Sequence, residues 1–184
     1  MNIDELRGLD HVKYQLLFDV RRSIRYHDRR RMFYERLHHI TGFVTILMAG
    51  SVLFDLGENV NRTWWLVTLS IFAAILAATD MVIGYSRRAS LHTTLRGKFA
   101  DLEIDMLAGS IEDDAWQEHY RKRLIIEKDE PAVYKVLDLL CHNELLLADG
   151  HLHKDKESSD FVEINLWRRW TSQWCHWANW QPSR

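Results

Sequence analysis

Proline is nearly missing from this sequence, with two in 184 residues, and glycine is scarce at eight. So few chain breakers argue against disorder and for long helices. Cysteine is equally rare: Cys141 and Cys175 are too few for a disulfide framework and suit a reducing compartment. An excess of one charge is lacking too. The net charge of −2 does not suggest a nucleic-acid binder held by overall charge, and no nucleic-acid partner is expected. The opening MNIDELRGLD lacks the basic-then-apolar build of a signal peptide, so insertion into a membrane would fall to internal segments.

Catalytic signatures are absent as well. There is no Gly-rich phosphate loop, no His-Glu-x-x-His and no serine nucleophile elbow. Cys141-His142 and Cys175-His176, with His151 and His153, match no recognised zinc-ligand spacing. The expectation is a non-enzymatic protein with no catalytic residue, no metal and no cofactor.

Apolar residues are 47% of the chain and charged residues 27%, ordinary values that conceal an uneven distribution. Ile40 to Phe54, ITGFVTILMAGSVLF, is uncharged but spans only ~22 Å as a helix, short of a ~30 Å hydrocarbon core. His38, His39 and Leu56 would have to sit in the interfaces, and taken alone the segment also fits a buried core helix. Trp64 to Tyr85, WWLVTLSIFAAILAATDMVIGY, spans ~33 Å with one charge, Asp80, and carries aromatics at both ends. LGENVNRT between them is short and turn-forming. Two spans, at about 40–56 and 64–85, are therefore expected as antiparallel neighbours.

Residues 21–36, RRSIRYHDRRRMFYER, hold seven arginines against Asp28 and Glu35, and Arg87, Arg88, Arg96 and Lys98 follow the second segment. The loop carries Asp55 and Glu58 against Arg62. The positive-inside rule then places both basic flanks and both termini in the cytoplasm. Arg25, Arg29, Arg30, Arg87 and Arg88 are candidate contacts for lipid headgroups, or for an anionic messenger. Ser70, Ala74 and Ala78 form a small-residue row that suits helix association, either within the chain or between copies. Asp80 is the one ionisable residue inside a segment. It either pairs with His38 or His39 or serves a pore or proton path.

Outside these segments the pattern stays helical. Leu9, Val12, Leu16, Val20 and Ile24 form one stripe, and the arm runs with little break into the first segment. Leu91, Leu95, Phe99, Leu102 and Met106 form another, ended by Gly109, with Ser110 to Asp113 resembling a capping box ahead of a helix to about Lys128. Pro131 suits a first helical position, and Gly150 would end that helix. HLHKDKESSD reads as a polar linker. Trp167, Trp170, Trp174, Trp177 and Trp180 then recur every three or four residues, predicting an amphipathic helix that anchors on a membrane surface or docks on a partner or on the chain's own helices. The expected fold class is all-α: a two-transmembrane helical hairpin with a cytoplasmic helical bundle and a C-terminal Trp-rich amphipathic helix. Residues 1–150 would form the two-transmembrane domain and 151–184 the linker and tail.

Three stretches, RRSIRYHDRRRMFYERLHHITGF, DMVIGYSRRASLHTTL and RLIIEKDEPAVYKVLDLLCHNEL, resemble the SLATT family, bacterial two-transmembrane proteins associated with nucleotide-signalling conflict systems. The resemblance covers about residues 12–150 and rests on Tyr26-His27, Arg30, Phe33, Asp80, the Gly84–Arg88 turn and the Glu127–Glu144 stretch. It implies an oligomeric inner-membrane effector that forms pores or permeabilises the membrane when a sensor or nucleotide-signalling partner triggers it. The alternative is a membrane-anchored interaction or exclusion protein, such as a prophage-encoded factor, that recruits partners through its cytoplasmic helices without conducting. The tail from Phe161 lies outside the resemblance.

Overall fold

The computed structural model describes residues 11–55, 63–109, 112–148 and 161–181. Their regular structure is all helical: α1 His11–Asp55, α2 Thr63–Ile83, α3 Tyr85–Ala108, α4 Asp113–Glu127, α5 Lys135–Ala148 and α6 Leu166–Thr171. Leu9, the connecting loop, Ser110 of the expected capping box, Gly150 and the polar linker lie outside the described residues. The chain divides into two compact units. One comprises residues 1–29 and 92–184 and the other residues 30–91, a different partition from the 1–150 and 151–184 segments read from sequence.

The first unit is a bundle around the beginning of α1. Leu16, Leu17 and Val20 pack with Leu95, Phe99, Leu102 and Met106 of α3 and with Trp116 and Ile126 of α4. Phe18 packs on Leu145 and Leu146 of α5, and Tyr26 on Leu137 and Cys141. This part of α1 is thus covered on more than one side, although its stripe frays at Val12, which is 71% exposed. Leu91, at the start of the α3 stripe, is exposed in the same way. Each fully buried side chain such as Phe99 contributes about 1.5–3 kcal/mol by leaving water. Arginines of the basic run fix the bundle's rim: Arg21 pairs with Glu103 (2.6 Å), Arg22 with Asp138 (3.1 Å), and Arg29 with Glu144.

Two local expectations are corrected. Pro131 does not open α5. Residues 131–134 are non-helical, because the Tyr134 backbone N–H donates to the Tyr26 hydroxyl (3.0 Å), and the helix starts at Lys135. The α4 N-cap is Glu112, without a side-chain capping bond. The tail also forms far less helix than its tryptophan rhythm suggests. α6 ends at Thr171, and the chain turns through Trp177 at φ 45°, a left-handed conformation that bulky residues rarely take. Trp177 donates its indole N–H to the Thr171 hydroxyl (3.2 Å) and lies with Trp180 over the Arg168 guanidinium. These contacts replace the helical continuation.

The second unit holds the rest of α1, α2 and the start of α3. Tyr34 packs with Tyr85 and Ala89, with Phe33 and Leu37 beside them, while His38 meets Asp80. Advancing along α1 means retreating along the other strand of the pair, so the two run antiparallel. Between α2 and α3, Gly84 takes φ +65° while its N–H bonds to the Asp80 carbonyl (2.8 Å) and its carbonyl accepts from Arg88 N–H (2.9 Å). Glycine makes this left-handed step without the Cβ clash that other residues suffer.

Candidate functional site

α2 with α3 is the one described helix long and apolar enough to cross a membrane. Its most apolar window has a mean hydropathy of 2.2, and none of it is buried within the protein. Ile71, Phe72 and Ile75 point outward, as do Ile40, Phe43, Ile46 and Leu47 of α1, so the α1 segment is not a buried core helix. Hydroxyls inside these segments are satisfied at home. Thr41, Ser51, Thr68, Ser70 and Thr79 each donate to a backbone carbonyl three or four residues back. Such back-bonding is what an environment without water requires of a polar side chain.

The polar centre of this unit is the pair of His38 and Asp80, with Nδ1 and Oδ2 2.9 Å apart. The Asp80 side chain is a quarter exposed and that of His38 less than half, so the carboxylate is turned toward α1. The structure places Asp80 against His38, one of the two histidines read from sequence as its partner. The His39 ring lies beside that of His38, tilted by 47° with centroids 5.8 Å apart, and is exposed.

One helical turn away lies an aromatic and cationic layer. Arg30 is buried, donates to the Tyr34 hydroxyl and lies 4.6 Å from its ring. Arg88 sits 5.9 Å from the same ring and donates to the Ile83 carbonyl at 3.0 Å. Apolar belt, acid–imidazole pair, tyrosines and arginines thus follow one another along the unit, the order found from a bilayer interior to its interface.

The remaining candidates fall in different places. Ser70, Ala74 and Ala78 are exposed, whereas Leu66, Leu69, Ala73 and Leu76 are partly covered, so the predicted row is not the packed side of α2. Arg87 is exposed, and Arg25 is half-buried in the first unit. Arg29 is occupied by Glu144. Trp167, Trp170 and Trp174 are 69%, 81% and 62% exposed, but Trp177 is turned back onto Arg168.

Comparison with family models, curated proteins and solved structures returned no match. The resemblance quoted from the sequence therefore stands on its own residues.

Sequence reasoning missed one cluster. His27 and His92, both buried in the first unit, meet Nδ1 to Nδ1 at 2.9 Å, and His27 Nε2 lies 3.0 Å from a Glu130 carboxylate oxygen. His27 also stacks on Phe99 with ring centres 5.6 Å apart. A carboxylate accepts only, so His27 Nε2 carries the hydrogen in that contact. The three residues are far apart in sequence and share no helical period. The stretches that carry the resemblance contain all three, but nothing in them marks the three as neighbours.

Proposed function

We propose that the chain is a non-enzymatic inner-membrane protein of a bacterium. Its antiparallel pair crosses the bilayer twice, with both termini and the first unit in the cytoplasm. Copies associate in the membrane and permeabilise it, the effector activity that the SLATT resemblance implies in an anti-phage or conflict response. The observation that carries this reading is the apolar window of α2, none of whose residues is buried by the described part of the protein. Exposed to water, that surface would cost about 25 cal/mol for each Å². Two helices enclose no aqueous path, so permeabilisation needs several copies, and the exposed Ser70, Ala74 and Ala78 row offers a surface for close approach. The trigger would be a sensor or nucleotide-signalling partner.

A second reading, a membrane-anchored interaction or exclusion protein, draws support from the exposed Trp167, Trp170 and Trp174 on the cytoplasmic unit. Controlled expression with simultaneous measurement of membrane potential and dye entry separates the two. The effector reading expects depolarisation that Ala74→Leu weakens together with crosslinked oligomers. Membrane-inserted protein with an unchanged potential, in the presence of the natural trigger, would leave the interaction reading.

A further inference from the structure

The first unit contains a cavity of about 570 Å³ between α1, α5 and the tail, lined by Arg29, Glu144, Glu163, Arg168, Arg169 and Trp180 among others. Its walls are built rather than incidental. Asn143 of α5 clamps the segment ahead of α6, donating to the Val162 carbonyl (2.6 Å) and accepting from the Val162 N–H (3.1 Å). On the opposite side the tail folds back at Trp177 in its left-handed conformation.

Charge within the cavity is not balanced pair by pair. Arg29 is neutralised by Glu144, but no described carboxylate pairs with Arg168 or Arg169, and among the described lining residues Glu163 is the one other acid. Arg168 is the unusual member. Its guanidinium carbon lies 5.6 Å from the Trp177 ring and 4.8 Å from the Trp180 ring, and its Nε is out of solvent without a hydrogen-bond partner. Aromatic faces hold a guanidinium in a fixed plane and attract its charge, but they leave its N–H edge unsatisfied. That edge matches the oxygens of a phosphate, which can accept a forked pair from one arginine and further bonds from a second.

We propose that this cavity binds a phosphate group through Arg168 and Arg169. The group is carried either by the headgroup of an anionic phospholipid or by a small soluble phosphorylated molecule. A lipid source accords with the exposed Trp167 and Trp170 of the same short helix and Trp174 just beyond it, which suit the boundary between headgroups and acyl chains. Neither source depends on whether the membrane part conducts.

The test uses the full-length protein in neutral detergent micelles, with binding followed by calorimetry. One arm titrates short-chain phosphatidylglycerol, with short-chain phosphatidylcholine as its zwitterionic control. The other titrates inorganic phosphate and glycerol phosphate, with chloride as control. Saturable binding is expected in one arm, weakened on the order of tenfold or more by Arg168→Gln or Arg168→Lys, because the lysine keeps the charge but not the fork. Arg169→Gln, at an exposed position, is expected to weaken it with unchanged thermal unfolding. Binding confined to the phosphatidylglycerol arm assigns a lipid, and binding in the phosphate arm assigns a soluble ligand. Absence of saturable binding in both arms, or binding that ignores Arg168→Lys and Arg169→Gln alike, overturns the proposal.

Discussion

Removing the imidazole from the His38–Asp80 contact asks whether α2 sits in lipid or in water. The two settings give different answers for the same 2.9 Å geometry. In water, partly exposed charged partners couple by about 0.2–1 kcal/mol. In a bilayer, His38→Leu strands a carboxylate, which costs about 2.5–3.5 kcal/mol when held near the membrane centre and less toward the headgroups. Asp80→Leu alone removes the carboxylate and leaves only the His38 imidazole without its partner, a milder penalty. The double variant replaces the pair with apolar groups and is expected to equal or exceed the parent in stability, as buried ion pairs often do when both members are exchanged. The coupling energy from the four proteins is therefore expected to exceed about 1.5 kcal/mol. Reversible unfolding of the purified full-length protein in mixed micelles, titrated with a denaturing detergent, supplies the four values. Additive effects within about 0.5 kcal/mol would refute the apolar placement of Asp80. The membrane reading of α2 would lose its main polar landmark with it.

Gly84→Ala is expected to destabilise the second unit by about 1–2 kcal/mol in the same unfolding assay, since φ +65° is costly for any Cβ. The cause is conformational, because an added methyl would meet only Arg87 Cβ at an ordinary 3.7 Å. Cys141 is buried and its thiol is pushed up to about 12 by loss of solvent, whereas Cys175 is exposed. Maleimide at neutral pH is therefore expected to label one thiol per native chain and two after denaturation. His119 is buried against Trp116 with neither ring nitrogen hydrogen-bonded, and burial, then the Lys122 charge, lowers its pKa below the ordinary 6.5. The unfolded chain then binds the proton more readily, so stability is lost as pH falls from 6.5 through the lower folded value. Between pH 7.5 and 5 the melting temperature of the parent should therefore fall relative to that of His119→Phe, and parallel curves would refute the assignment.

What was legible in the sequence was local. A single uninterrupted α1 and the apolar limits of α2 follow from composition and a helical period, and Thr63–Ile83 falls close to the 64–85 read from residues alone. The α3 stripe was legible through Leu95, Phe99, Leu102 and Met106. The misreadings at α5 and in the tail arise from contacts beyond the reach of a helical period. Tyr26, more than a hundred residues away, delays the start of α5, and the attraction of Trp177 and Trp180 to Arg168 ends the tail helix early. The arginine run served as an orientation signal, but nothing in its spacing foretold that Arg21, Arg22 and Arg29 would each meet a carboxylate from another helix.

The facing nitrogens of His27 and His92 impose a limit on counting hydrogens. Two imidazoles have four ring nitrogens, but between Nδ1 and Nδ1 at 2.9 Å there is room for a single hydrogen. While that contact lasts, the pair holds at most three hydrogens and one positive charge. With His27 donating its Nε2–H to Glu130, a neutral pair keeps the shared hydrogen on His92 Nδ1, and moving it to His27 Nδ1 makes His27 an imidazolium. Adding a fourth hydrogen is incompatible with the contact, so the rings must part first. The His27–His92 pair therefore has a fixed ceiling on its proton content, set by stoichiometry.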